Sequence, residues 1–139
     1  VLQSSRVFVQ GPRLLSVGEE FSVEVSAAEV EGLYSAPMFV TFDPALFDFI
    51  RAEEGDFLKK DGQNTVFTTS ANPARGQLIV GYKQGAGGEG ATGSGSLFRL
   101  FFRAKSSGKG IVAPERVNFR NSSGSRLDIS SEGLTVEVR

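Results

Sequence analysis

The sequence predicts an all-β fold, a sandwich or barrel of many short strands. Three observations carry this. Seventeen Gly and abundant Ser punctuate the 139 residues, at the spacing of about eight to twelve residues that turns take in such folds. The runs between them are rich in Val, Phe, Ile and Thr, which fit a pleated, half-buried surface. Finally, Phe21, Val23, Val25 and Ala27 alternate with Ser22, Glu24 and Ser26, the period of two that marks a strand with one buried face. No stretch supports a helix of about ten residues.

In chain order, Arg6–Val9 reads as the first strand, ended by Gln10-Gly11-Pro12, and Gly18 precedes the second, Phe21–Ala27. Gly32 opens a run from Leu33 to Phe42, closed by Asp43-Pro44, and Leu46–Ala52 ends at Glu53-Glu54-Gly55. Thr65–Ser70 and Gln77–Lys83 are separated by Asn72-Pro73-Ala74-Arg75-Gly76, a cluster of turn formers. Gly85–Gly95 is glycine-rich and reads as a loop. Leu97–Lys105 is a long strand with Phe98, Leu100, Phe102 and Ala104 on one face and Leu97, Arg99, Phe101 and Arg103 on the other. Ser106-Ser107-Gly108 turns the chain into Ile111–Arg120, and Leu134–Val138 is the last strand. A short helical turn fits at Pro44–Phe47 or Asp56–Lys60. No domain boundary or internal repeat is visible, so residues 1–139 read as one domain. The sequence starts at Val1, without an initiator Met or a signal-peptide pattern, and reads as a piece of a larger protein.

Composition removes several classes of function. Fifteen basic and sixteen acidic residues give a net charge of −1, and no basic cluster offers an electrostatic footing for nucleic acid or an anionic membrane. The longest apolar runs, such as Pro37–Val40, span four to five residues, against the ~20 a membrane-crossing helix needs. There is no Cys and no His. Ser-His-Asp and Cys-His nucleophile arrangements therefore have no parts, and most zinc sites lose their usual ligands. The expectation is a non-enzyme without a cofactor or catalytic residue.

The remaining constellations are weak. Glu53, Glu54 and Asp56 cluster near one strand end, with Asp43 and Asp48 nearby; paired carboxylates serve glycoside hydrolysis, but a solvated loop edge is the commoner meaning of such a cluster. A calcium site there lacks the Asp-x-Asp-x-Asp-Gly loop. Gly85-Ala86-Gly87-Gly88-Glu89-Gly90 spells a dinucleotide fingerprint, yet that fingerprint needs a following helix to hold pyrophosphate, and Ala91–Gly95 leads instead into another strand. Gly108-Lys109-Gly110 reads as a strand-linking turn rather than a phosphate loop. Asn121-Ser122-Ser123 is an acceptor triplet for N-glycosylation. Sugar-binding platforms are best made of Trp or Tyr; this chain has no Trp, and of its two Tyr, Tyr82 alternates with Leu78 and Val80 toward the core.

Strand faces carry a clearer signal. In Ser35–Phe42, Ala36, Met38, Val40 and Phe42 share one parity and face the core, which leaves Pro37, Phe39 and Thr41 outward. Leu97 and Phe101 share the Arg99/Arg103 face. Outward apolar residues on neighbouring strands form a contact patch.

The order of motifs resembles the cohesin domains. The matching residues are Val17-Gly18-Glu19-Glu20-Phe21 through Val25, Gly32-Leu33-Tyr34, Phe42-Asp43-Pro44-Ala45-Leu46, Gly55-Asp56-Phe57-Leu58, Gly76 through Gly81, Gly93 through Leu97 leading to Phe102-Arg103-Ala104, and Leu134 through Val138. The resemblance covers about Val7 to Val138. It implies a nine-strand antiparallel sandwich of jelly-roll topology, and a protein–protein interaction module that docks a partner called dockerin, or another protein, on one sheet face. That face implies Pro37, Phe39, Thr41, Ile79, Gly81, Lys83, Leu97 and Phe101 as partner-binding residues. Pro37 stands where cellulosomal members tend to carry an acidic or amide residue, and it cannot supply that hydrogen bond. The chain looks closer to cohesin-like domains outside cellulosomes, some of them appended to secretion channels or other bacterial surface proteins, in an extracellular, cell-surface or periplasmic setting. A carbohydrate-binding module, a structural spacer and a glycosidase accessory domain remain as alternative readings.

Overall fold

A computed structural model describes residues 5–62, 64–85 and 87–139; Val1, where the sequence starts, and Ala86 of the glycine-rich loop lie outside them. The described residues form twelve strands: β1 (Arg6–Gln10), β2 (Leu14–Leu15), β3 (Glu20–Ser35), β4 (Met38–Thr41), β5 (Phe47–Glu54), β6 (Thr65–Asn72), β7 (Gln77–Gln84), β8 (Ala91–Ala104), β9 (Gly108–Glu115), β10 (Arg120–Asn121), β11 (Ser130–Glu132) and β12 (Leu134–Val138). Short 3-10 helices occupy Phe57–Gly62 and Pro73–Arg75. The three strands beyond the expected nine are β2, β10 and β11, each only two or three residues long.

Hydrogen bonding joins the strands into one sheet that curls over into a two-layer jelly-roll sandwich. One layer runs β11-β1-β3-β8-β5 and the other β6-β7-β4-β9-β12-β2. They meet where the end of β3 reaches β7, at the pair Ser35↔Lys83. The main ladders are antiparallel; β1 with β11 and β12 with β2 are parallel. The sixteen-residue β3 reaches both layers because its pairing with β8 shifts at Val25/Ser26, Ala27/Val30 and Val30/Leu33. Each such bulge bends a strand and adds twist. Glu29 and Gly32, with φ of 55° and 64°, sit inside these shifts. Gly32 therefore bends a continuous strand; the expected break falls later, at Ala36-Pro37.

Two other boundaries move. Ala91–Gly95, expected as loop, already pairs with β3 as the start of β8. The strand expected to run to Arg120 stops at Glu115, where Arg116 turns left-handed with φ 52°. The helical turn settles at Phe57–Gly62, and a tighter turn at Pro44–Leu46 is held by backbone bonds from Leu46 and Phe47 to the Asp43 carbonyl.

The core lies between the layers. Phe102 is at its centre, with Phe21, Phe42, Phe47 and Phe49 around it at ring separations of 5.1–6.2 Å. Tyr82 is buried as alternation predicts, its hydroxyl donating to the Gly55 carbonyl at 3.1 Å. Burial, and after it the charge of Glu54, push that hydroxyl well above the usual tyrosine range. Gln84 is a buried amide: its Nε2 donates to the Leu58 carbonyl at 3.0 Å and its Oε1 accepts from the Gly90 N–H at 2.8 Å. It ties the 3-10 turn and the glycine-rich loop to β7.

Candidate functional site

The strands β6-β7-β4-β9 present an outer face whose rows follow from strand register. Ser70, Ile79, Phe39 and Glu115 form one cross-strand row, and Asn72, Gln77, Thr41 and Ala113 the next. Thr68 and Gly81 pair in a third row, toward Pro37, and Val66 and Lys83 in a fourth. A side chain built on Gly81 would come within 2.8 Å of the Thr68 hydroxyl, so glycine leaves the middle of the face low. Phe39 is half-buried under the Arg116 guanidinium, 5.2 Å from its ring centre. Beyond β4, a shallow depression of about 440 Å³ opens between Thr41, Lys109, Ile111 and Thr135.

Apolar exposure concentrates on this layer. Among the described residues six large hydrophobic side chains are exposed: Val66, Ile79 and Ile111 on these four strands, Leu14 on β2 of the same layer, Val17 ahead of β3, and Ile50 on β5 of the other layer. Register puts Val66 and Ile111 on the same side as Ile79 and Phe39. Neither Val66 nor Ile111 stood out in the sequence. Each lies in a strand with inward neighbours, Phe67 and Val112, and only the pairing shows which parity points out.

Leu97 needs correction: it is fully buried. Its strand partner explains this. Val25 of β3 pairs with Phe98, but Ser26 pairs with Ser96, so Leu97 is the extra residue of a bulge. The bulge breaks simple alternation and turns both Leu97 and Phe98 inward. Phe101 points outward, but from the other layer, because β8 pairs with β3 and β5 rather than with β4 or β7. The Arg51 guanidinium covers its ring at 3.9 Å. Of the eight expected contact residues, the structure gathers Pro37, Phe39, Thr41, Ile79, Gly81 and Lys83 on one face and places Leu97 and Phe101 elsewhere.

The opposite outer face is of another kind. Glu20 and Arg103 are directly opposed across β3 and β8 and bond at 2.5 Å; Glu24 and Arg99 do the same at 3.0 Å. Lys105–Asp48 and Arg51–Glu53 extend this lattice of charge. The acidic cluster at the end of β5 is partnered too: Lys59 lies 3.3 Å from Glu54, which also accepts from the Thr65 hydroxyl. The residues after the glycine-rich loop form β8 rather than the helix that a dinucleotide fingerprint needs. Asn121 Oδ1 accepts from Ser123 N–H and Ser125 N–H, each at 3.0 Å, and folds the acceptor triplet into a tight turn.

The family model for the cohesin domain matches residues 6–129. The chain belongs to the cohesin domain family. This cohesin domain is similar to the non-cellulosomal cohesin from the archaeon Archaeoglobus fulgidus, at 14% identity and a TM-score of 0.83, over 99% of this chain and 92% of that one. It is similar to a type II cohesin domain from the cellulosome of Acetivibrio cellulolyticus, at 12% identity and a TM-score of 0.84, over 96% and 95%. The third is the structure of a type I cohesin–dockerin complex from Clostridium thermocellum, at 17% identity and a TM-score of 0.78, over 99% and 100%. Likeness at these identities establishes the fold. No sequence among curated proteins matches this one.

Proposed function

We propose that this cohesin domain is a docking module that binds a dockerin-type protein partner on the outer face of β6-β7-β4-β9, with no chemistry of its own. The observation that carries the reading is the asymmetry of the two outer faces. One exposes Ile79, Val66 and Ile111 around a half-buried Phe39; the other is a lattice of ion pairs. A few apolar anchors inside a polar rim is how protein interfaces concentrate binding energy. Here the rim is Thr41, Thr68, Ser70, Gln77, Lys83 and Glu115. Solved cohesin–dockerin complexes among the similar structures support a partner of that type. The module acts as part of a larger extracellular, cell-surface or periplasmic protein.

Titration calorimetry against dockerin modules of both types, and against those encoded beside this chain in its genome, tests the reading. Binding by the unaltered domain, weakened about thirtyfold or more by Ile79→Asp, is expected, since a truncated or charged anchor costs ~2 kcal/mol or more. Phe101→Asp, on the opposite face, leaves it unchanged. Equal losses from both variants would place the contact elsewhere, and no binding to any dockerin would remove that partner class.

A further inference from the structure

We infer that β6 is a dimerisation edge, at which two copies of this domain pair antiparallel about a two-fold axis through Thr68. The inference is independent of the docking reading. It rests on how the sheet edges are finished.

An open edge offers unpaired N–H and C=O groups, and proteins blunt such edges with charge, proline, bulges or shortness. The other edges here are treated in this way. β5 carries Asp48, Arg51, Glu53 and Glu54 and a register shift at Phe49/Arg51. β2 and β11 are only two and three residues long. By contrast, β6 is eight residues, Thr65-Val66-Phe67-Thr68-Thr69-Ser70-Ala71-Asn72, without charge, proline or bulge, and six of them are exposed. Among the described residues it pairs with β7 alone.

The register says which backbone groups remain free. The Gly85 N–H donates to the Asn64 carbonyl at 2.7 Å, and this pair continues the ladder that matches Thr65 with Gln84. In an antiparallel ladder, hydrogen-bonded pairs alternate with non-bonded ones. Val66, Thr68 and Ser70 therefore bond to β7, while Thr65, Phe67, Thr69 and Ala71 aim their backbone groups at the open edge. The other side of β7 agrees, since its even residues bond to β4 through Ala36 N–H to Tyr82 carbonyl and Phe42 N–H to Gly76 carbonyl.

A second β6 fits this pattern most fully in one register. With Thr68 opposite its own copy, Phe67 faces the partner copy's Thr69, and Thr65 faces its Ala71. Every free residue meets a free residue, and both outward faces stay on the same side. Shifting by one residue would set bonded residues against free ones, and shifting by two would leave one of the four free residues of each strand without a partner in β6. The outcome is a continuous sheet with the two candidate docking faces side by side.

The chain has no cysteine, so single cysteines read the register directly. Non-bonded pairs bring side chains closest, within disulfide reach. Under mild oxidation Thr68→Cys is expected to cross-link to itself. Val66→Cys and Ser70→Cys cross-link when mixed and stay largely uncross-linked alone. Sedimentation equilibrium from about 1 μM to about 1 mM, the span of modest affinities, is expected to show monomer and dimer in exchange. Thr69→Pro removes only an edge-facing N–H and is expected to raise the dimer's dissociation constant at least about tenfold; Thr69→Lys gates the same edge if proline perturbs folding. A strictly monomeric domain over this range, a dimer indifferent to both Thr69 variants, or equal cross-linking from all three cysteines would overturn the inference.

Discussion

Leu97→Ala separates the observed sheet from the one that alternation alone predicts. On the outward face of an unbulged β8, Leu97 would contribute little, since surface substitutions stay within about 0.5 kcal/mol. In the structure it is fully buried beside Phe98, because the Val25↔Phe98 and Ser26↔Ser96 pairs leave it as the bulge residue. Truncation removes three carbon groups at ~0.8 kcal/mol each, and incomplete collapse of the space adds a cavity term. The expected loss is about 3–4 kcal/mol, within the range of buried Leu→Ala changes. Urea denaturation followed by far-ultraviolet circular dichroism measures it. With a slope of ~2 kcal/mol/M, the midpoint should fall by about 1.5–2 M. Phe101→Ala is the control: it loses a partly exposed ring and the Arg51 contact, and should cost about 1 kcal/mol. A Leu97→Ala loss below about 1 kcal/mol, or one no larger than that of Phe101→Ala, would refute the bulge.

Two further predictions concern buried polar groups. Gln84→Leu leaves the Leu58 carbonyl and the Gly90 N–H without their partners, and should destabilise the domain by about 2–4 kcal/mol; an effect under about 1 kcal/mol would mean that water takes the place of the amide. Tyr82 links stability to alkaline pH. Its folded hydroxyl titrates above the ordinary tyrosine value of ~10, so the neutral form is the one folding favours. Its contribution is complete below about pH 10 and is lost as pH rises through the folded value. Equilibrium unfolding at stepped alkaline pH should show a decline above about pH 10 that Tyr82→Phe reduces; parallel curves would exclude Tyr82 as its source.

Much of the fold was legible because alternation and turn chemistry are local. Phe21–Ala27 falls inside β3 with its expected buried side, and Met38 and Val40 point inward as parity requires. The Asn72–Gly76 cluster turns the chain between β6 and β7 as its residues predict. What stayed hidden depends on neighbours. Nothing within Leu97–Lys105 announces a bulge, since the extra residue is defined by pairing with Val25 and Ser26 of β3. Nor does β8 reveal which layer it joins; that choice placed Phe101 opposite Ile79 rather than beside it. Gly32 looked like a strand boundary because glycine both ends strands and bends them. The face itself was half legible. Pro37, Phe39 and Thr41 follow from parity within one strand, whereas Val66 and Ile111 join them only through the β6–β7–β4–β9 register.

Amide hydrogen exchange of the domain, alone and saturated with a dockerin module that calorimetry shows to bind it, tests the proposed face most directly. Slowed exchange across β6, β7, β4 and β9, centred on Phe39 and Ile79, is the expected result, with β3, β5 and β8 unchanged. Protection confined to β3, β5 and β8 would contradict it and move the docking site to the ion-paired face around Phe101.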